Sequence, residues 1–282
     1  MNPEPPISPL SEGAAADLKV GLISVGDAIL SGKRADKHLP KFIELLGERG
    51  LQLAYAEYVG DDPARITDTL RRAFASGDVV FSTGGIGATP DDHTRQCAAR
   101  ALGLPLVLHP EAEALIRERM QDTAREQGTV YEPDRPDNIH RLNMGVFPEG
   151  ARIIRNPYNK IPGFSHGRVH FVPGFPVMAW PMMASVLDDE YRAWFRREAW
   201  IEKSVIVFGA MEATLTPLME RIEADFTGTK VFSLPSVDHP QYGRHIELGV
   251  KGAPEVVARA YPSLLEGLAG FGAKLGPELV RN

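Results

Sequence analysis

The sequence predicts an α/β protein: a three-layer α/β/α sandwich with a mainly parallel sheet, followed by a small α+β domain. Three observations carry this. Over residues 18–102, short aliphatic runs alternate with amphipathic helical stripes in the order β-α-β-α-β-α, the pattern of a parallel sheet covered by helices. A glycine-rich loop follows one of those strands: Ser82-Thr83-Gly84-Gly85-Ile86-Gly87-Ala88-Thr89-Pro90-Asp91-Asp92. Beyond residue 200 the pattern changes to β-α-β-β-α.

The elements follow in order. Leu18 to Val25 reads as a short buried strand ending at Gly26-Asp27. Leu39 to Gly50 carries a helical stripe of Leu39, Phe42, Ile43, Leu45 and Leu46. Leu51 to Val59 alternates like a strand, and Asp62-Pro63 opens a helix that stops at Ser76-Gly77. Asp78 to Ser82 is a second buried strand, and after the glycine loop a helix is expected from Pro90 to Leu102, closed by Gly103. Gly128 to Asn143 is polar and reads as a long loop, and Val146 to Pro181 is dense in Pro and Gly with short strand-like pieces. A boundary is expected between Asp188 and Ala199. After it come strands at Lys203–Phe208, Lys230–Leu234 and His245–Lys251, and helices at Ala213–Phe226 and Pro254–Leu268. The expected organisation is a flexible tail over 1–17, a main domain over 18–187 and the small domain over 200–282.

Composition narrows the function. The chain has 282 residues, with 31 basic against 37 acidic and a net charge of −6, which argues against a nucleic-acid partner needing a basic face. No apolar run is long enough to span a membrane. One cysteine, Cys97, and no secretory pattern fit a cytoplasmic setting. A homo-oligomer, dimer or trimer, is expected.

The loop carries the chemistry. Glycines between a buried strand and a helix let a ligand approach the backbone, and the N–H groups at the next helix start face an anion. Thr89 is placed as N-cap, with Pro90 in the first turn and Asp92 three residues on. Asp91 and Asp92 have two readings. They cap and compensate the helix dipole, or they hold a divalent metal, Mg²⁺ or similar, against phosphate oxygens. Asp27, after Gly26, and Asp36, after Ser31-Gly32, form a second polar group beside a strand end. They are either turn residues or assistants to the reaction. A side chain at Gly85 would fill the space a phosphate needs. Among weaker signals, Cys97 reads as a buried structural thiol, His93 as an exposed side chain or a metal ligand, and Lys160 as solvated or phosphate-binding. Trp180, Trp194 and Trp200 read as packing near the domain junction, and His239, His245 and Glu247 fit no metal spacing.

Taken together, these motifs resemble the molybdopterin-binding (MogA/MoaB-like) domain superfamily, and within it the N-terminal domain of the CinA, or competence/damage-inducible protein A, family. The resemblance rests on Gly26-Asp27, on the signature from Thr83 to Thr94, on Asn156-Pro157 with Pro162-Gly163-Phe164, and on Pro173-Gly174-Phe175-Pro176. It covers residues 18–186. It implies a ligand with a pterin or nucleotide character, its phosphates on Gly84, Gly85 and Gly87, with Thr83, Thr89, Lys160, Pro173 and Gly174 in contact and Asp92 at the superfamily's shared Asp position. For CinA-like chains it implies metal-dependent hydrolysis of a pyrophosphate bond in a nucleotide such as ADP-ribose. For MogA-like chains it implies adenylylation of molybdopterin. A non-catalytic pterin or nucleotide binder is the reading from another class. The sequence departs from the CinA pattern at Asp36, where Asn is usual, at Ala88, where Pro is usual, and at Met178, where Glu is usual. The separate amidohydrolase domain of CinA has no counterpart in these residues, so no deamidase activity is expected.

Overall fold

The computed structural model describes residues 19–195 and 200–281, which fall into two compact units divided at Phe195/Arg196. The expected tail over 1–17 lies outside the described residues.

The first unit is built on a six-stranded mixed sheet. β1 (Val20–Val25), β2 (Leu53–Val59), β3 (Val79–Thr83) and β8 (Val169–Val172) run parallel in the order β2-β1-β3-β8, and β7 (Gly163–His166) and β6 (Arg152–Ile154) continue it antiparallel. Every residue of β1 and of β3 is buried, as befits central strands covered on both faces, whereas edge strand β2 alternates half-buried with exposed. Alternation along the central strands divides the core. Ile23, Val25 and Val80 point to one face, where α3 (Pro63–Ser76), α4 (Thr94–Leu102) and α5 (Pro110–Glu126) supply Ile66, Leu70, Cys97, Ala98 and Ala112. Val20, Leu22, Val79 and Phe81 point to the other, where α2 (His38–Gly47) and α7 (Pro176–Glu190) supply Phe42, Leu46, Met182 and Leu187. Cys97 is fully buried and burial pushes its thiol up, consistent with a structural thiol.

Three elements depart from the sequence expectation. α4 begins at Thr94, not Pro90, because Asp92 takes the N–H of Thr89 and closes a turn before the helix starts. The expected long loop contains α6 (Pro136–Leu142), set by Pro136 at the first position and by Asn138, whose side-chain amide donates to the Glu132 carbonyl. The Pro-rich stretch contains α7, with Pro176 in its first turn and Pro181 inside it. A short α1 (Asp27–Leu30), strand pair β4 (Leu106–Leu108) and β5 (Val146–Pro148), and α5 itself complete the unit.

The second unit is a four-stranded antiparallel sheet in the order β10-β11-β9-β12: β9 (Ile201–Phe208), β10 (Lys230–His239), β11 (Gly243–Gly252) and β12 (Lys274–Arg281). α8 (Glu212–Asp225) and α9 (Pro254–Gly270) pack Leu215, Leu218, Val257 and Leu264 against it. The last strand, β12, lies beyond the expected β-α-β-β-α order. Inside the unit Glu247 is held by Arg281 and by the Ser204 hydroxyl at 2.7 Å, which makes it a sheet residue.

Candidate functional site

The chain crosses from β1 outward to β2 and back to β3 on the other side of β1, so the carboxyl ends of β1 and β3 open beside each other. That is the position where parallel α/β sheets bind ligands. In register, Ser24 pairs with Thr83, which brings the Gly26 turn against the glycine loop.

A cavity of about 470 Å³ lies there, within the range of small-molecule sites. Thr83, Gly84, Gly85, Gly87, Thr89, Asp91, Asp92, Pro173 and Gly174, all expected from sequence, line it. The loop lies close against its surroundings. A Cβ on Gly84 would strike the Val25 carbonyl, one on Gly85 the Thr94 hydroxyl, and one on Gly87 would stand 2.6 Å from the Asp92 carboxylate. Gly84 and Gly85 also hold φ of 92° and 68°, the left-handed region that favours glycine. Thr94, fully buried, pins the loop from below: its hydroxyl donates to the Gly84 carbonyl at 3.1 Å and its N–H to the Gly85 carbonyl at 2.9 Å. Gly84 N–H is spent on Val172, but the N–H groups of Gly85, Ile86, Gly87 and Ala88 have no hydrogen-bond partner among the described residues. The loop's own backbone thus offers a row of open N–H groups suited to an anion, ahead of α4, which begins only at Thr94.

Asp92 accepts from the N–H of Thr89 at 2.8 Å and from its hydroxyl at 2.6 Å. The expected Thr–Asp capping pair therefore exists but clasps a turn; α4 has no side-chain cap. Asp91 is exposed beside it. Among the described residues no group of three or more His, Cys, Asp or Glu is placed to hold a metal ion.

Three expected residues stand outside the cavity lining. Asp27 exchanges hydrogen bonds with Asp61, its carboxylate accepting from the Asp61 N–H at 3.1 Å while its own N–H donates to the Asp61 carboxylate at 3.0 Å. Asp36 accepts from the N–H groups of His38 and Leu39 and from the Tyr58 hydroxyl at 2.7 Å. Burial pushes the Asp36 carboxyl up, but those three donors together hold it below the usual carboxylate range. Lys160 turns to α5, where its ammonium pairs with Glu118 at 2.7 Å and Asp122 at 2.5 Å. That charge is committed to the helix and does not reach the loop.

Several lining residues escaped the sequence reading: Asp61, Arg34, His38 and Asn159. The Asn156-Pro157 motif explains Asn159. Buried Asn156 donates to Asn159 and to the Ile161 carbonyl and accepts from the Tyr158 N–H, folding the segment into a tight turn that presents Asn159. Asn159 in turn donates to the Met178 sulfur at 3.4 Å. Met178 therefore faces the cavity, at the position where the resemblance expects a carboxylate.

Comparison with known proteins gives a consistent family. Residues 21–193 match the family model described as "Probable molybdopterin binding domain". A CinA-like protein from Anaeromyxobacter sp. (strain K) is 32% identical over 57% of this chain and 38% of its own length, and one from Geobacter metallireducens is 31% identical over 76% of this chain and 51% of its own. The chain thus spans about half or less of the length of these curated relatives. A solved structure from Thermoplasma acidophilum, described as the protein CinA with unknown function, superposes with a TM-score of 0.51 at 27% identity, covering 61% of this chain and 98% of that one.

Proposed function

The chain belongs to the molybdopterin-binding domain family and is CinA-like, and from that premise we propose that it binds a phosphorylated nucleotide or pterin on the Gly85–Ala88 backbone and cleaves a pyrophosphate bond with the help of a divalent metal. One observation carries the reading. Four open backbone N–H groups, suited to an anion, stand in the same cavity as the carboxylates of Asp61, Asp91 and Asp92. Phosphate and carboxylates share a small space only if a cation lies between them.

Asp91 and the free oxygen of Asp92 are the groups that would hold Mg²⁺ or a similar ion, a sparse protein set of the kind Mg²⁺ accepts when substrate phosphate and water complete its shell. Such an ion supplies charge neutralisation and polarises a phosphoryl oxygen. The chain's own residues do the rest. The loop N–H groups hold the diphosphate, Arg34 brings a cation to the rim, and Asp27 and Asp36 are positioning residues that fix Asp61 and the start of α2.

A second reading, binding without turnover, is favoured by Met178, which puts a thioether in the cavity where a carboxylate is usual. The two separate in one screen of the purified protein with ADP-ribose, FAD and ATP plus molybdopterin, each with and without Mg²⁺ or Mn²⁺. Metal-dependent release of a nucleoside monophosphate from ADP-ribose or FAD is expected. AMP transfer from ATP to molybdopterin would replace hydrolysis by adenylylation. Saturable binding with no turnover of any substrate would establish the binder.

A further inference from the structure

Phe175 differs from the other large rings of its unit. Phe42, Phe81, Phe147, Phe164 and Phe171 are fully buried, while Phe175 lines the cavity and is 56% exposed. Each of those five meets another aromatic ring, whereas Phe175 has no ring partner among the described residues. A phenyl ring left in water is unfavourable, and its flat face is suited to a second flat face. Tyr158 and Val177, close in sequence, are exposed too, but neither lines the cavity.

The ring stands on a fixed base. Pro176 follows it and confines Phe175 to extended backbone, with φ −94° and ψ 122°. Its carbonyl accepts from the N–H groups of Met178 and Ala179 at 3.0 and 2.9 Å, at the start of α7. The Gly174 carbonyl before it accepts from Nε2 of buried His38 at 3.0 Å. A platform whose backbone is already ordered loses little freedom when a ligand covers it.

Its place relative to the loop suits a two-part ligand. Gly174 packs against the glycine loop, where a Cβ added to it would stand 3.4 Å from the Gly84 Cα. Phe175 is the next residue on. Ile29, Ile161, Pro162 and Met178 share the cavity lining with it and are apolar. A nucleotide has the same division, an anionic diphosphate joined through a sugar to a flat ring.

We propose that Phe175 is the stacking platform for the heterocycle of the bound ligand, its ring covered by that heterocycle while the phosphates lie on the Gly85–Ala88 loop. This rests on the reading above that the cavity takes a phosphorylated nucleotide or pterin. It adds that ring and phosphate are bound by different residues. It adds also that the ring is read by its face, so adenine and guanine are held alike.

The test is titration calorimetry on the full chain with ADP, GDP and inorganic pyrophosphate, which has no ring. For Phe175→Ala we expect both nucleotides to bind about tenfold more weakly, equivalent to 1.4 kcal/mol and within the range of one stacked base, with pyrophosphate changed by less than about twofold. Phe175→Trp keeps a stacking face. It should bind ADP within about threefold of the parent, and ADP should quench its added fluorescence once the change seen in the parent is subtracted. Melting followed by circular dichroism checks that each variant is folded, and light scattering records its oligomeric state. Unchanged nucleotide affinity in Phe175→Ala overturns the assignment, and so does an equal loss for pyrophosphate, which makes Phe175 a prop for the loop. A loss confined to one purine overturns reading by the face. A smaller oligomer with unaltered nucleotide affinity assigns Phe175 to a contact between copies of this chain instead. If the parent binds pyrophosphate as tightly as ADP and GDP, the ring contributes nothing and this proposal alone fails. If it binds none of the three, the nucleotide reading fails with it.

Discussion

Arg95 carries its guanidinium beneath the glycine loop and donates from Nη2 to the carbonyl oxygen of Gly87 at 2.6 Å. Its other nitrogen, Nη1, donates to the Asn143 carbonyl, and Nε has no partner. The residue is 4% exposed, and burial pushes its pKa down while Asp92 pulls it back up. The loop that presents open N–H groups to the cavity thus rests on a buried cation bonded to backbone carbonyls, a source of positive potential beneath the proposed anion site.

Arg95→Met should weaken pyrophosphate binding and lower stability together, because it removes the charge and leaves the Gly87 carbonyl unpaired, at about 1–3 kcal/mol, while the Asn143 carbonyl keeps the Val146 N–H. Arg95→Lys should restore part of the binding but not the stability, since an ammonium cannot span two carbonyls as the guanidinium fork does. Calorimetric affinities and melting temperatures of the two variants check this. A Met variant with unchanged pyrophosphate affinity would remove Arg95 from the anion site.

Asp92→Asn should cut turnover sharply while leaving the protein folded. The amide oxygen can still accept from the Thr89 N–H and hydroxyl, so the turn survives, but the charge that balances a cation is lost. A fall of about 100-fold in rate is the scale of losing one such stabilising group, with a melting temperature close to the parent's. Near-parental turnover of any substrate found in the screen would end the metal role.

Gly85→Val should harm both ligand binding and stability. The sequence points to a side chain that fills the phosphate's space. The structure adds that its Cβ meets the Thr94 hydroxyl, the group that pins Gly84, and that φ of 68° is strained for any side chain at about 1–2 kcal/mol. Paired affinity and denaturation measurements decide the balance. A Val variant of parental stability would show that Thr94 yields without cost.

His170 should make the protein lose stability as pH falls below about 6.5. Its ring is wholly buried between the Ser165 hydroxyl at 2.7 Å and the Tyr191 hydroxyl at 2.6 Å, and burial, aided by Arg152, pushes its pKa down to about 3. The unfolded chain binds that proton near 6.5 and the folded chain does not. Stability from this group is therefore complete above 6.5 and declines by about 1.4 kcal/mol per pH unit down to about 3. Denaturant unfolding of the parent and of His170→Asn between pH 7 and pH 4 measures the slope. A slope no steeper in the parent would mean that the ring is protonated in the fold.

The sequence by itself determined the alternating strands and helices, three of the second unit's four strands and both its helices, and the loop at which the cavity opens. Those features are written in local periodicity and in glycines that only a close backbone approach requires. Buried runs such as Val79–Phe81 and stripes such as Phe42, Leu45 and Leu46 declare their faces without knowledge of the partner. Tertiary structure alone decided which polar groups reach the cavity. Asp27, Asp36 and Lys160 sit in promising motifs, yet each is committed to a partner distant in sequence: Asp61, 34 residues away, Tyr58, 22 away, and Glu118, 42 away. His38 opens an amphipathic helix with nothing local to mark it, and Met178 is marked only by its place just after Pro173-Gly174-Phe175-Pro176. They line the site because β1, β3 and β8 are adjacent in the sheet, and that brings the ends of α2 and α7 to the same edge. A hydrogen bond across such a distance depends on the packing of whole layers, and no short window of sequence contains both of its ends.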